Sequence, residues 1–527
     1  MGNGIDPRTP VIVGVGQASE RIDDRHYRGM SAVDLAVEAS LAALADAGDS
    51  GDSIAQAIDT VAALRQFENS VPGVTAPLGQ SNNFPRSVAR RVGASPVRAI
   101  LEVAGGQGPQ HLVTELAGAV AEGRGEVVLV VGSDAISTAR HLASSPDKPD
   151  FSESVDGDLE DRGFGSEGLM SQAAIEHGLT DAPSQFALIE NARRARLGLT
   201  RNAHAGEMGR LFAPFTAVAA GNPHSAVRTV RTAVELIEPT ERNRPIAEPY
   251  VRFLVARDQV NQGAAVLIMS VGAAQRLGVP PDKWVFLHGH ADLRERSLLE
   301  RPDMGASPAA VRASTHALDV AGITVADLSS LDLYSCFPVA VSTVAEGLGV
   351  SADDPRGLTV TGGLPFFGGA GNNYSMHAIA ETVDRCRTAP GSFGLVGANG
   401  GMLSKYSVGV YSTTPTPWRH DHSADIQREL NSVPTVEVIE RADGPGTVET
   451  YTVRFHRKGT RIGIVVGRLD TGERFVACVE DDDAEALDRM TRGEPLRTRV
   501  LVRSTPSGNR VAFRPVMPVP ELDSRTR

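Results

Sequence analysis

One stretch constrains the fold more than any other: LEVAGGQGPQHLVTELAGAVAEGRGEVVLVVGSDA, starting at Leu101. Ile100 to Val103 close an apolar run, and Gly105, Gly106 and Gly108 make a tight turn. Leu112, Leu116 and Val120 then recur at helical spacing, and Val127 to Val131 are unbroken apolar sequence. This reads as strand, glycine elbow, helix, buried strand. Enzymes often place a nucleophile at such an elbow, where the helix dipole stabilises an anion. Here the elbow offers only glycines and Gln107.

Strands and helices alternate around this unit. Val11–Val15 and Thr60–Leu64 read as strands, Ala32–Ala47 as a helix with Ser31 as its N-cap and Gly48 as its stop, and Pro85–Val92 as another helix. The alternation predicts an α/β sheet with helices on its faces. From Ser133 to Pro183 the chain turns polar and irregular, including the acidic SESVDGDLEDRG, before two helices lead to the strand GAAVLIMS. A second block then repeats the first in kind: WVFLHGH, SPAAVRASTHALDVAG, LDLYS, VAVSTVAEGLG, a second glycine elbow in TGGLPFFGGAGNNYSMHAIAETVDRC, and SFGLVGANGG before SKYSVGVYST. Past Pro415 come five short strands with turn residues between them and one helix, DDAEALDRMTRG, which together suggest a small OB-like barrel. The expected boundaries are 1–275 for a first half containing an inserted loop domain at about 133–261, 276–414 for a second half, and 420–527 for the barrel.

Bulk composition narrows the function classes. A chain of 527 residues with 41% hydrophobic content can bury a large core. Its net charge of −12 argues against a general nucleic-acid binder. Cys336, Cys386 and Cys478 are far apart, with neither disulfide nor metal spacing, so no metal is expected and a reducing cytoplasm fits. The start, MGNGIDPRTPVIVGVGQ, lacks the basic and apolar regions of a signal peptide, and no apolar run is long enough to span a membrane.

Several motifs together resemble the thiolase superfamily over roughly the first 415 residues. VIVGVGQ is similar to that family's opening strand, GSDAIST to its Gly-x-x-Glu-Ser-Met-Ser turn, and VNQGAAVLIMS to its Asp-Gly-Ala-Ala strand, with Gln262 in place of the aspartate. YSCF, Tyr334 to Phe337, stands where classical thiolases have Asn-Glu-Ala-Phe and the sterol-carrier-protein type has His-Asp-Cys-Phe. The resemblance implies a duplicated fold, two similar βαβα halves layered α-β-α-β-α, carrying the added barrel. It also implies what is missing. Gly105 falls at the nucleophilic cysteine, Gly369 at the catalytic histidine, Ala398 at the second cysteine and Tyr334 at the oxyanion Asn or His. A glycine cannot form an acyl-enzyme. The pattern resembles the thiolase-like proteins of type 1, and an acetyl-CoA acetyltransferase label drawn from overall similarity would not describe its chemistry.

Polar groups nevertheless converge on the elbows. Tyr334 and Cys336 end one strand, Asn372, Asn373 and His377 follow the second elbow, and Asn399 lies at the third turn. Each has a plainer reading: Cys336 as a buried structural thiol, Tyr334 as a core tyrosine, His377 as a packed helix residue about two turns in, Asn372 and Asn373 as helix caps, and His111 as a helix-surface residue. The resemblance implies coenzyme A or an acyl-CoA as ligand, in lipid or fatty-acyl metabolism, with Arg193, Arg194 and Arg196 as phosphate-binding candidates against a solvated helix face. Three functions remain open. The first is acyl-CoA binding without thiolysis. The second is retro-aldol cleavage of a 3-hydroxyacyl-CoA using Tyr334, by analogy with aldolase relatives that pair with an OB-fold partner. The third is a scaffold role through the barrel, where Tyr451, Phe455 and nearby basic residues suggest single-strand binding and the acidic VEDDDAEALD opposes it. Thiolases are usually dimers; a monomer is the alternative if the added domain covers the dimer face.

Overall fold

The computed structural model describes residues 4–48, 51–165, 171–481 and 483–513. The first half is built on a mixed sheet in the order Pro10–Ser19, Asn261–Ser270, Val127–Ala135, Thr60–Leu64, Arg98–Glu102, with the two-residue Glu160–Asp161 at its edge. Thr60–Leu64 runs parallel to both its neighbours, and Asn261–Ser270 runs antiparallel to Val127–Ala135. The second half has Leu328–Asp332, Phe393–Gly400, Lys405–Ser412 and Phe286–Arg294 in that order. The two sheets touch through reciprocal hydrogen bonds between Ile12 and Val285, 2.8 and 3.0 Å long.

Close packing betrays the duplication. A Cβ on Gly14 or Gly16 would clash with the backbone of Ala39 and Ala43 in the helix Ala32–Ala47. A Cβ on Gly289 would clash likewise with Ala317 and Ala321 in the helix Pro308–Ala321. In both halves a glycine-bearing strand therefore lets an alanine-faced helix approach closely. Ser31 and Asp34 form a reciprocal capping box that starts the first of these helices. Between the sheets lie the two elbow helices, Gly108–Ala121 and Tyr374–Thr388, sharing a core of Leu112, Leu116, Val120, Ile379 and Val383. Helix, sheet, helix, sheet, helix is the five-layered order.

Two segments differ from the sequence expectation. The strand beginning at Val127 continues to Ala135, and a helix follows at Ile136–Leu142, so regular structure persists past Ser133. Ser133 and Asp134 look polar, but they complete the ladder with Gly263 and Gln262. The helix Ser423–Ser432 precedes the barrel and packs on the edge strand Phe286–Arg294 through Ser423 and Gln427, which accept from Asp292 N and Arg294 N.

The C-terminal strands Gly444–Phe455, Arg461–Leu469, Arg474–Val479, Arg499–Thr505 and Gly508–Phe513 close on themselves. The third and fifth pair in parallel, the other contacts are antiparallel, and the helix Ala484–Arg492 falls between the third and fourth strands. This is a five-stranded OB-like barrel. It is welded to the body. Ile464, Val466 and Val476 on its outside belong to the main core, and Thr450 and Tyr451 bond the inserted helix Ala182–Leu197 at Leu188 O and Asn191 Nδ2. Among the described residues no helix is long and apolar enough to cross a membrane.

Candidate active-site cavity at the glycine elbows

The elbows converge on an open cavity of about 630 Å³. Gly105 and Gly106 come from the first elbow, Gly369, Gly371 and Asn372 from the second, and Asn399 to Met402 from the end of the strand Phe393–Gly400. Tyr334, Cys336 and Phe337 follow the strand Leu328–Asp332, and the inserted segment closes the wall with Phe186, Val255 and Ala256. Phe186 stacks on Phe337 with ring centroids 4.4 Å apart. Phe366 and Phe367 do not plug the space: Phe367 packs edge-on against Tyr374 and His377, and Phe366 against Phe212.

The first elbow is occupied as well as stripped. Gly105 has φ +147°, and a Cβ there would run into Gln107 Oε1. Gln107 Oε1 sits in the space a nucleophile side chain would need, against Gly105 and Gly400. A Cβ on Gly106 would meet the Tyr334 hydroxyl. Gly369 is looser, with the nearest atom to an added Cβ at 3.2 Å. Ala398 is fully buried within its strand, opposite Ser407, and is not among the cavity's lining residues.

Three polar side chains face the cavity around Tyr334. Its hydroxyl has no hydrogen-bond partner among the described residues, and burial pushes its pKa well above that of an ordinary phenol. Burial also pushes the Cys336 thiol up to about 12, so Cys336 is a protonated donor at neutral pH and not a nucleophile. Asn399 Nδ2 lies 4.0 Å from its sulfur, and Asn399 Oδ1 is buried without a partner. The site thus carries neutral hydrogen-bond donors and no thiolate.

His377 is not part of it. The helix begins at Tyr374, which puts His377 in the first turn, not two turns in. Its ring is fully buried, bonded to Gln17 Oε1 at 2.7 Å, and burial holds its pKa well below the usual value, so it is neutral. Neither of the paired asparagines caps the helix through its side chain, contrary to the sequence expectation. Asn373 holds the N-cap position without a capping bond, and its amide donates to Gly132 O at 2.6 Å. Asn372 accepts from Gly105 N at 2.8 Å and donates to Arg65 O and Ser70 Oγ, tying one elbow to the other across the two halves. Gln262, the residue in place of the family aspartate, donates to Phe367 O and His224 O and so positions the second elbow loop.

Asp134 is a site neighbour that sequence reasoning passed over. Burial, with Glu68 adding to it, lifts its carboxyl to about 8, and it accepts from Phe67 N at the cavity rim. An acid at the end of a central strand was the signal that marked it.

The arginines proposed for phosphates are spent elsewhere. Arg193 pairs with Glu346 and with Glu207 at 2.5 Å, Arg194 with Glu494 at 2.5 Å, and both are buried. Arg196 pairs with Asp303 at 3.4 Å and Glu346 at 3.6 Å. None of the three is among the cavity's lining residues. In the barrel, Tyr451 is fully buried and Arg454 pairs with Asp181 at 2.5 Å, so neither forms part of an exposed single-strand platform.

His111 is an electrostatic bridge between the halves. Its ring lies 3.3 Å from Asp292 Oδ1 on the strand Phe286–Arg294 and 3.6 Å from Glu115. Burial disfavours its charged form, but Asp292, Glu102 and Glu115 outweigh that and raise its pKa to about 9. Glu102, His111 and Glu115 could together ligate a cation, but the Arg162 guanidinium already sits between the two carboxylates at 2.6–2.7 Å. With the folded pKa above the unfolded one, the His111 contribution is fully present below about 6.5 and is lost as pH rises through about 9. The melting-temperature gap between the parent protein and His111→Gln is therefore expected to shrink across that window. A gap that stays constant with pH would remove the charge from the account.

Five layers and two joined elbows around one cavity define the thiolase fold. Residues 425–507 match the family model described as the thiolase-like protein type 1 additional C-terminal domain. The crystal structure of a monomeric SCP2-thiolase-like protein type 1 from Mycobacterium smegmatis is 50% identical, with a TM-score of 0.84, covering 97% of this chain and 100% of that one. The chain belongs to this family, the type 1 thiolase-like proteins with an additional C-terminal domain. The Ltp2–ChsH2(DUF35) aldolase shares the fold at 21% identity and TM-score 0.55, over 77% of this chain and 98% of that one. Human mitochondrial 3-ketoacyl-CoA thiolase does so at 17% and 0.53, over 78% and 100%. The search of curated proteins finds no match.

Proposed function

We propose that this protein binds an acyl-coenzyme A thioester without forming an acyl-enzyme. The observation that carries this reading is the open cavity of about 630 Å³, which combines an unpartnered Tyr334 hydroxyl with a Cys336 thiol held protonated. Phe67, Phe186, Phe337, Leu364 and Met402 offer an apolar wall for an acyl chain. Tyr334 and Asn399 offer donors for a thioester oxygen, and Gln107 excludes a nucleophile from the elbow. The protein acts as a monomer in the cytoplasm, and its setting is lipid or fatty-acyl metabolism.

Calorimetric titration with acyl-CoAs of increasing chain length tests this. Micromolar binding with a chain preference is expected. Tyr334→Phe removes one neutral hydrogen bond worth about 0.5–1.5 kcal/mol, so affinity is expected to fall roughly 3- to 10-fold. Failure of every acyl-CoA to bind would overturn the reading.

A second reading is favoured by the aldolase among the similar folds. In a retro-aldol cleavage a base takes the 3-hydroxyl proton, the C2–C3 bond breaks to leave a carbonyl product, and the thioester enolate is protonated at C2. With its pKa raised, Tyr334 suits the final proton donation better than the first abstraction. Release of an aldehyde or ketone from a 3-hydroxyacyl-CoA, abolished in Tyr334→Phe, is the result that would promote this reading over simple binding.

A further inference from the structure

Among the described residues, none of the barrel lines the elbow cavity, yet the barrel reaches its wall through one buried arginine. The strands Phe393–Gly400 and Lys405–Ser412 are joined by the turn 401–404, and Asn399, Gly400, Gly401 and Met402 form this side of the cavity. Leu403 in the turn has φ +53°, a left-handed conformation that residues other than glycine rarely adopt. Such a conformation persists only where its surroundings hold it. Two bonds are internal to the hairpin: Ser404 N donates to Gly400 O at 3.1 Å, and Met402 N to Ser404 Oγ at 3.2 Å. From outside, Glu295 N donates to Ser404 O at 2.9 Å and the Ser307 hydroxyl to Leu403 O at 3.5 Å. Arg301 holds Met402 itself, its guanidinium donating to Met402 O at 2.6 Å and lying 3.4 Å from Ser404 Oγ.

Arg301 is fully buried and pairs with no carboxylate among the described residues. Its Nε donates to Arg296 O at 3.0 Å. Burial lowers its pKa to about 10, so it stays a cation at neutral pH. A buried cation that meets only neutral oxygens is costly, and what its planar fork supplies is fixed geometry between two segments. The segment that carries it is gripped in turn by the appended domain. Leu299, Glu300 and Arg301 present three consecutive carbonyls. Arg474 on the third barrel strand donates to the first at 2.6 Å and the third at 2.7 Å, and Val436 N, in the stretch leading into the barrel, donates to the second at 3.0 Å. Glu449 holds Arg474 within the barrel.

We propose that Arg301 is the positioning residue through which the appended domain sets the Asn399–Met402 wall of the cavity. The contacts form an unbroken path: Glu449, Arg474, the backbone of 299–301, the Arg301 guanidinium, Met402. Asn399 Nδ2 donates to Gly401 O at 3.4 Å, so a shift of the turn carries Asn399 with it. The barrel thereby controls ligand affinity without touching the ligand. The ligand part of this inference rests on the acyl-CoA reading; the positional part does not.

The test compares four full-length variants with the parent: Arg301→Lys, Ser404→Ala, Arg474→Lys and Tyr451→Phe. Lysine keeps the charge but lacks the fork that spans two acceptors. Ser404→Ala loosens the same turn should Arg301→Lys fail to fold. Tyr451→Phe is the control: it removes a hydroxyl that accepts from Arg201 at 2.6 Å, weakening the barrel's hold on the body away from 299–301. One readout is hydrogen exchange over residues 399–406, with the elbow helices Gly108–Ala121 and Tyr374–Thr388 as internal reference. The other is calorimetric affinity for octanoyl-CoA. Exchange in the turn is expected to rise about tenfold or more in Arg301→Lys and severalfold in Arg474→Lys, and to stay at the parent value in Tyr451→Phe. Affinity is expected to fall in the same order. Unchanged turn exchange in Arg301→Lys and Ser404→Ala would overturn the positioning role. A loosened turn in Arg301→Lys beside a parent-like turn in Arg474→Lys, or equal loosening in Arg474→Lys and Tyr451→Phe, would overturn the link to the barrel. A loosened turn with unchanged affinity would overturn the control of binding. The expected exchange pattern in a parent that binds no acyl-CoA would support the positioning role and remove the acyl-CoA reading instead.

Discussion

Gly105→Cys is expected to yield a destabilised protein with no thiolysis. Restoring the nucleophile type at the elbow places a Cβ against Gln107 Oε1 on backbone with φ +147°, a region L-residues rarely adopt. Backbone strain costs about 1–3 kcal/mol and overpacking about 1–3 kcal/mol more. A stability loss of about 2–6 kcal/mol should appear in denaturant unfolding. Cleavage of a 3-ketoacyl-CoA should stay at background, because Gly369 and Ala398 supply no side chain for proton transfer. Adding Gln107→Gly relieves the clash and should recover part of the stability while leaving thiolysis absent. Measurable thiolysis in either variant would show that the elbow keeps its old chemistry.

The second large effect is expected at Arg474. This arginine is 1% exposed on the third barrel strand. Its guanidinium donates to Leu299 O and Arg301 O in the body at 2.6 and 2.7 Å, and to Glu449 at 2.7 Å within the barrel. Arg474→Ala strands two body carbonyls, while the partly exposed Glu449 keeps Arg468 at 3.0 Å; two buried acceptors left unsatisfied cost about 2–6 kcal/mol together. The barrel should loosen from the body first. Hydrogen exchange is expected to rise in the strands Gly444–Phe455 and Arg474–Val479 before it rises in the central elbow helices. Equal loss of protection everywhere would mean that barrel and body unfold as one unit.

Both predictions rest on groups that differ in how readable they were. The elbow was legible because it is local, with glycines, a helical repeat and a buried strand within 35 consecutive residues, and the family resemblance then placed Gly105 at the missing nucleophile. Gln107 was visible in the same turn, but nothing local said that its amide would fill the vacated space, because that depends on how Gly400 approaches from the other half. Asn372 and Asn373 read as helix caps because N-caps are the commonest use of asparagine before a helix. Their amides instead bond Gly105, Arg65, Ser70 and Gly132, more than 240 positions away in sequence. Arg193 and Arg194 read as a basic cluster on one helix, and only the folded chain brings Glu346, Glu207 and Glu494 to them.

Short-range order was therefore determined by the sequence alone. Periodicity, capping residues and turn glycines act within one element, so they announced the alternating strands and helices, the duplication and the barrel without reference to the rest of the chain. Tertiary structure alone decided which polar groups are free to act. A hydroxyl, thiol or guanidinium becomes functional or structural according to what long-range packing sets against it and how much water that packing removes. Tyr334 is left without a partner among the described residues, Cys336 is held protonated and Arg194 is neutralised, and each outcome follows from residues brought together across the fold.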